Sequence, residues 1–194
     1  MVYIIGLTGG IATGKSTVSA YLKEQGLPVL DADLYAREAV AIGSPILRTI
    51  IQRYGPDAQL PDGALNRPRL GAIIFNDPDE KRWVEAQIHP FVKQCFERDT
   101  AALKAPVIVY AIPLLFEAGL REQIDAIWVV VCTPEQQLRR LMMRNSLTLD
   151  EAQARIHSQM PLTQKAAQAD FVLDNSRDFA ALFHQIDRAL EDIF

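Results

Sequence analysis

A short stretch near the start of the chain, Gly9-Gly10-Ile11-Ala12-Thr13-Gly14-Lys15-Ser16-Thr17, brings together the groups needed to hold a run of phosphates. It fits Gly-x-x-x-x-Gly-Lys-[Ser/Thr]. Glycines at both ends let the backbone wrap so that successive N–H groups face inward, toward oxyanions. The helix expected to start here adds unpaired donors and the positive end of its dipole. Lys15 is placed to reach the outer phosphates, and the Ser16 hydroxyl to ligate Mg²⁺. Ala12, Thr13, Gly14, Lys15, Ser16 and Thr17 are therefore candidates for binding a nucleoside triphosphate. An ordinary glycine turn is the plain alternative. It would not require the strand-like residues before the loop and the helix-like residues after it.

Other candidates lie where apolar runs end. Asp31 and Asp33 follow Val29-Leu30, where a carboxylate could accept a proton from an attacking hydroxyl or hold Mg²⁺ through water. Acidic residues also simply favour helix starts, which leaves Asp31 balanced while Asp33 reads as functional. Arg140 and Arg144 share one helix face after another apolar run, as a clamp for a transferring phosphoryl group would. Arg155 follows in a segment, 145–161, that could close over a nucleotide; its role stays open. His89 before Pro90 is a packing residue or a substrate contact. Asp174-Asn175-Ser176 is a turn and cap, or else the edge of a base site where Asn175 pairs with adenine.

Five apolar runs, 2–7, 28–30, 106–112, 126–132 and 171–173, lack polar alternation and suit strands of a parallel sheet covered on both faces. Helical patterns separate them, so the class is α/β, and ligands belong beyond the carboxyl ends of the strands. Between about 34 and 105 only helices are expected: 44–54 with Ser44 as cap and Pro45 at the first position, 67–75, and 77–104 interrupted at His89-Pro90. That block is either a substrate cover or scaffold.

With 194 residues, 49% apolar and 23% charged, the chain suits one globular domain with a helical insertion. No apolar run is long enough for a membrane helix, and no basic region precedes the first strand as in a signal peptide. Cys95 and Cys132 lack metal-site or disulfide spacing and read as buried free thiols of a reducing cytoplasm. A net charge of −4 argues against a general nucleic-acid surface.

Taken together, these residues resemble the dephospho-coenzyme A kinase family. The matching motifs are Gly6-Leu7-Thr8-Gly9-Gly10-Ile11 leading into Gly14-Lys15-Ser16-Thr17, then Asp31-Ala32-Asp33, Ile88-His89-Pro90 and Pro113-Leu114-Leu115-Phe116-Glu117. They continue through Arg140-Leu141-x-x-Arg144, Arg155-Ile156-x-x-Gln159, Lys165 and Asp174-Asn175-Ser176, across nearly the whole chain. The resemblance implies a P-loop NTPase-like three-layer α/β fold with a five-stranded parallel sheet. It implies a nucleotide core of about 1–33 and 106–194, a helical substrate-binding insertion of about 34–105 and a lid of about 140–162. It further implies ATP-dependent phosphorylation of the 3′-hydroxyl of the dephospho-CoA ribose, with Mg²⁺, in the cytoplasm, by a monomer or small homo-oligomer. Asp33 would be the base, Lys15, Arg140 and Arg144 would hold phosphates, and His89, Leu115, Phe116 and Glu117 would face the substrate. Two departures stand out: Ala12-Thr13 where the family's loop mostly reads Gly-Ser, and Ala111 where many members carry aspartate.

Overall fold

In the computed structural model, which describes residues 2–193, all the expected strands form. They are β1 (Tyr3–Gly9), β2 (Val29–Asp31), β3 (Val107–Ala111), β4 (Ala126–Val131) and β5 (Phe171–Asp174). The sheet is parallel throughout in the order β2-β3-β1-β4-β5. All carboxyl ends consequently share one edge. Register sets Asp31 beside Ala111 and Ala111 beside Leu7, while Gly9 pairs with Val130 and Asp174 with Val131.

Helices fill the intervals: α1 (Lys15–Glu24), α2 (Ala32–Ala39), α3 (Pro45–Tyr54), α4 (Arg67–Asn76), α5 (Pro78–Ala102), α6 (Pro134–Asn145), α7 (Leu149–His157), α8 (Leu162–Ala166) and α9 (Phe179–Glu191). By internal contacts the chain falls into two compact units, one of residues up to Asp31 with those from Leu103 on, the other Ala32–Ala102. In the first unit Ile5, Leu7, Val109, Trp128 and Val130 from the sheet pack with Val18 and Leu22 of α1 and Leu182 and Ile186 of α9. Tyr21 of α1 stacks on Phe183 of α9, ring centroids 4.1 Å apart. The alternate strand residues Ile4, Ile108, Ile127 and Val129 are buried too, which is why these strands read as continuous apolar runs.

The second unit has its own core of Val40, Leu47, Ile50, Leu65, Leu70 and Val84. Ser44 caps α3 by accepting from the Leu47 N–H, with Pro45 at the first helical position. The expected break at His89-Pro90 does not occur: α5 runs unbroken through Pro90. A proline there removes one backbone donor and costs about 3 kcal/mol. Burial of Val84 before it and of Val92, Cys95 and Phe96 after it offsets that loss.

An electrostatic cluster joins α3 to α5. Arg53 grips Glu80 with two hydrogen bonds of 2.7 and 2.8 Å, lies 4.4 Å over the Trp83 ring, and Tyr54 donates to the same carboxylate at 2.7 Å. Hydrogen bonds from Arg53 first, then Tyr54, hold the Glu80 carboxyl down at about 2. A carboxyl depressed in the folded state stabilises above its unfolded value and loses that contribution as pH falls through the folded one. The expected outcome is a melting temperature that drops between about pH 5 and pH 2. Glu80→Gln should flatten that acid limb, and parallel limbs in the two proteins would exclude Glu80 as their source.

Candidate active site

At the end of β1 the chain must turn sharply beneath its neighbour. A β-carbon on Gly9 would sit 2.7 Å from the Val130 carbonyl oxygen, so glycine alone lets the two backbones approach. Ala12 and Gly14 both have positive φ, 61° and 108°, and α1 begins at Lys15. Within this loop the Ile11 and Thr13 N–H groups are taken, by Gln159 Oε1 and Gly10 O. Among the described residues, the N–H groups of Ala12, Gly14, Lys15 and Ser16 have no protein acceptor. Four unpaired donors at a helix start, with a lysine and an exposed hydroxyl at Ser16, form an anion cradle.

Side chains from distant segments brace the cradle. Gln137 of α6 donates to Ile11 O at 2.9 Å. Arg140, one turn on, points its guanidinium at Thr13 O (3.5 Å) and Asn175 O (3.1 Å). Arg144 is exposed and bonded to Asn145, and Arg155 on α7 is exposed as well. Beside Arg140 lies Cys132, buried and unpaired like Cys95; burial pushes its thiol up against the opposing effect of Arg140. The Thr13 hydroxyl donates to Gly10 O at 2.9 Å.

Asn175 is tied into the fold beside this loop. It is 2% exposed, and its amide nitrogen donates to Thr13 O at 2.8 Å. The side chain therefore supports the loop backbone through its amide nitrogen. Its closeness also explains Gly14, where an added β-carbon would lie 2.0 Å from the Asn175 nitrogen.

Beyond β3, Thr8 donates to Pro113 O at 3.1 Å. Leu115 was expected at the substrate but is fully buried, packed with Ile124 over Gly6, so its side chain belongs to the core. Phe116 is half-buried, under the Arg121 guanidinium at 5.8 Å. Glu117 is committed internally: it accepts from the Met160 N–H at 3.1 Å and pairs at 2.8 Å with Lys165, whose side chain is 0% exposed against 22% for Glu117. Lys165 also donates to Pro113 O at 3.4 Å. Breaking such a pair strands whichever charge is more deeply buried. Glu117→Gln is accordingly expected to cost about 3 kcal/mol and Lys165→Met about 2, because the carboxylate left by the latter still meets water. Calorimetric melting should show roughly a 5–10 °C loss for each; unchanged melting in both would remove the pair from the stability account.

The second unit carries the other candidates. Asp33 is exposed in the first turn of α2, so it does start a helix as well as follow Asp31. Two residues on, Tyr35 donates to Asp99 of α5 at 2.5 Å and packs edge-on against Phe96, which fixes the helix bearing Asp33. His89 is half-buried on α5. Sequence reasoning missed Gln137 altogether. The available signal was a glutamine one turn before buried Leu141, on the apolar face of a helix.

Residues 3–181 match the family model for dephospho-CoA kinase. The dephospho-CoA kinases of Synechococcus elongatus and a Nostoc species are 54% and 55% identical to this chain, covering 97% and 96% of it and 91% and 96% of their own lengths. A solved Thermus thermophilus structure is 34% identical with a TM-score of 0.87, covering 100% of this chain and 98% of that one. The dephospho-CoA kinase of Campylobacter jejuni is 26% identical, with a TM-score of 0.72 over 100% and 98% of the two chains. Shikimate kinase from Bacteroides thetaiotaomicron, 16% identical with a TM-score of 0.53, shares the fold. With more than half the residues identical across almost the full length of both chains, and the glycine-rich loop inside the matched span, this chain belongs to the dephospho-CoA kinase family.

Proposed function

We propose that this chain transfers the terminal phosphoryl group of ATP to the 3′-hydroxyl of the dephospho-CoA ribose, giving coenzyme A and ADP. The observation that carries the donor half is the set of four unpaired N–H groups around Lys15. Family membership carries the acceptor.

Phosphoryl transfer depends on positioning and charge neutralisation more than on covalent chemistry, so the proposed mechanism is in-line with no phosphoenzyme. The loop from Ala12 to Thr17 holds the phosphates through its backbone, Lys15 draws charge from the outer two, and Arg140 with Arg144 covers the group in flight. Asp33 takes the proton of the ribose hydroxyl. Mg²⁺ commonly binds one or two protein groups and completes its shell with phosphate and water, so the Ser16 hydroxyl suits it as the protein ligand. The ion would offset charge between the outer phosphates. His89, Phe116 and Glu117 are the proposed substrate contacts, with Leu115 acting through the placement of Phe116 and Glu117. The units correspond to a nucleotide core and a substrate-binding insertion, with α7 and its flanks as lid.

No helix among the described residues is long and apolar enough to cross a membrane. The enzyme is proposed to act in the cytoplasm on a small molecule, without nucleic acid, as a monomer or small homo-oligomer. A coupled assay of ADP release tests the reaction. Turnover should require dephospho-CoA and stay at background with AMP, shikimate or no acceptor; equal rates with shikimate would replace the acceptor assignment.

A further inference from the structure

Ala12 stands at φ 61°, in the left-handed region where a β-carbon crowds the next carbonyl and glycine is favoured. Groups around it must hold it there. The peptide plane before it is fixed by Gln137, whose buried Nε2 donates to Ile11 O at 2.9 Å. The plane after it is fixed by the Thr13 N–H donating to Gly10 O, and the next carbonyl, Thr13 O, is taken by Asn175. A trans peptide points its C=O and N–H in opposite directions. Holding Ile11 O from the α6 side therefore aims the unpaired Ala12 N–H away from α6, on the open side of the loop. Gly10 makes room for this bond, because a β-carbon there would meet Gln137 Nε2 at 2.7 Å.

We propose that Gln137 is a positioning residue for the phosphate loop: its grip on Ile11 O keeps Ala12 in the left-handed conformation and aims the Ala12 N–H at the nucleotide. The inference rests on ATP being the ligand of this loop. It accounts for a working cradle with alanine where a glycine would cost nothing. Without the grip, Ala12 relaxes, only a fraction of molecules present the complete cradle, and apparent affinity falls by that fraction.

The test is a cycle of four proteins: wild type, Ala12→Gly, Gln137→Met and the double variant, with ATP binding read by titration calorimetry and kcat and KM read in the coupled assay. Gln137→Met is expected to weaken ATP binding about tenfold with Ala12 present, and threefold or less with Gly at that position. The loss should appear in KM for ATP more than in kcat. Equal losses in the two backgrounds, or a melting shift with unchanged ATP affinity, would show a merely structural glutamine and overturn the proposal. Gln137→Ser, too short to reach Ile11 O, carries the same cycle if Gln137→Met does not fold. ATP binding is measured without acceptor. A wild type that binds ATP but ignores dephospho-CoA would thus sink the acceptor reading and leave this test intact, whereas one that binds no ATP would overturn the inference itself.

Discussion

Lys15→Ala is expected to lower kcat about a thousandfold and to weaken ATP binding as well, while the protein melts near the wild-type temperature. Four backbone donors can cradle phosphate oxygens, but they carry only partial charge and cannot follow charge as it moves to the leaving group. The ammonium of Lys15 is the one full cation within the loop sequence. Among the described residues no carboxylate pairs with it. Its charge is therefore available to the reaction and is not invested in the fold, which is why stability should survive its removal. Preorganised charge aimed at a developing oxyanion is worth far more in an enclosed site than in water. Rates within threefold of wild type would remove Lys15 from the chemistry and put the loop assignment in question.

Asp33→Asn is the second large effect. Asparagine keeps the size and hydrogen-bonding reach of the side chain but cannot take a proton. If Asp33 removes the ribose proton, kcat should fall about 10²–10⁴-fold, the usual worth of a positioned general base. ATP affinity should change by less than about twofold, because the proposed donor site is the loop after β1 and not α2. The two variants are thus separable: one loses affinity for ATP and rate together, the other loses rate alone. A turnover loss smaller than fivefold would reassign Asp33 to its other role, that of an acidic residue in the first turn of a helix, where it contributes through the helix dipole. Solvent proton inventory and pH–rate profiles on the wild type give an independent check, since a base in the rate-limiting step leaves an acid limb that the asparagine variant lacks.

Much of the fold was legible because the signals were local. Buried parallel strands advertise themselves as runs such as Ala126–Val131, and caps such as Ser44 before Pro45 work through the nearest few residues. The loop motif likewise marks, through its glycines, where the chain turns. Pro90 misled for the same reason: its local cost is real, but long-range burial of Val92 and Phe96 decides the helix. Leu115, Glu117 and Asn175 have partners within the fold that the motifs do not show. Their actual partners, Gly6, Lys165 and Thr13, lie far away in sequence.

By itself, then, the sequence determined which groups are present and the order of elements that carry them: a phosphate loop between a strand and a helix, five apolar strands, a helical block, and a late pair of arginines. Spacing and periodicity act over one or two turns, so they survive in one dimension. Tertiary structure alone decided which backbone group each side-chain amide serves. Gln137, Gln159 and Asn175 come from three separate segments and meet only at residues 11–13. A buried polar group must find a partner, and which partner it finds depends on how segments distant along the chain are packed together. The loop announces a cradle; the folded chain supplies the side chains that hold its one alanine in a glycine's conformation.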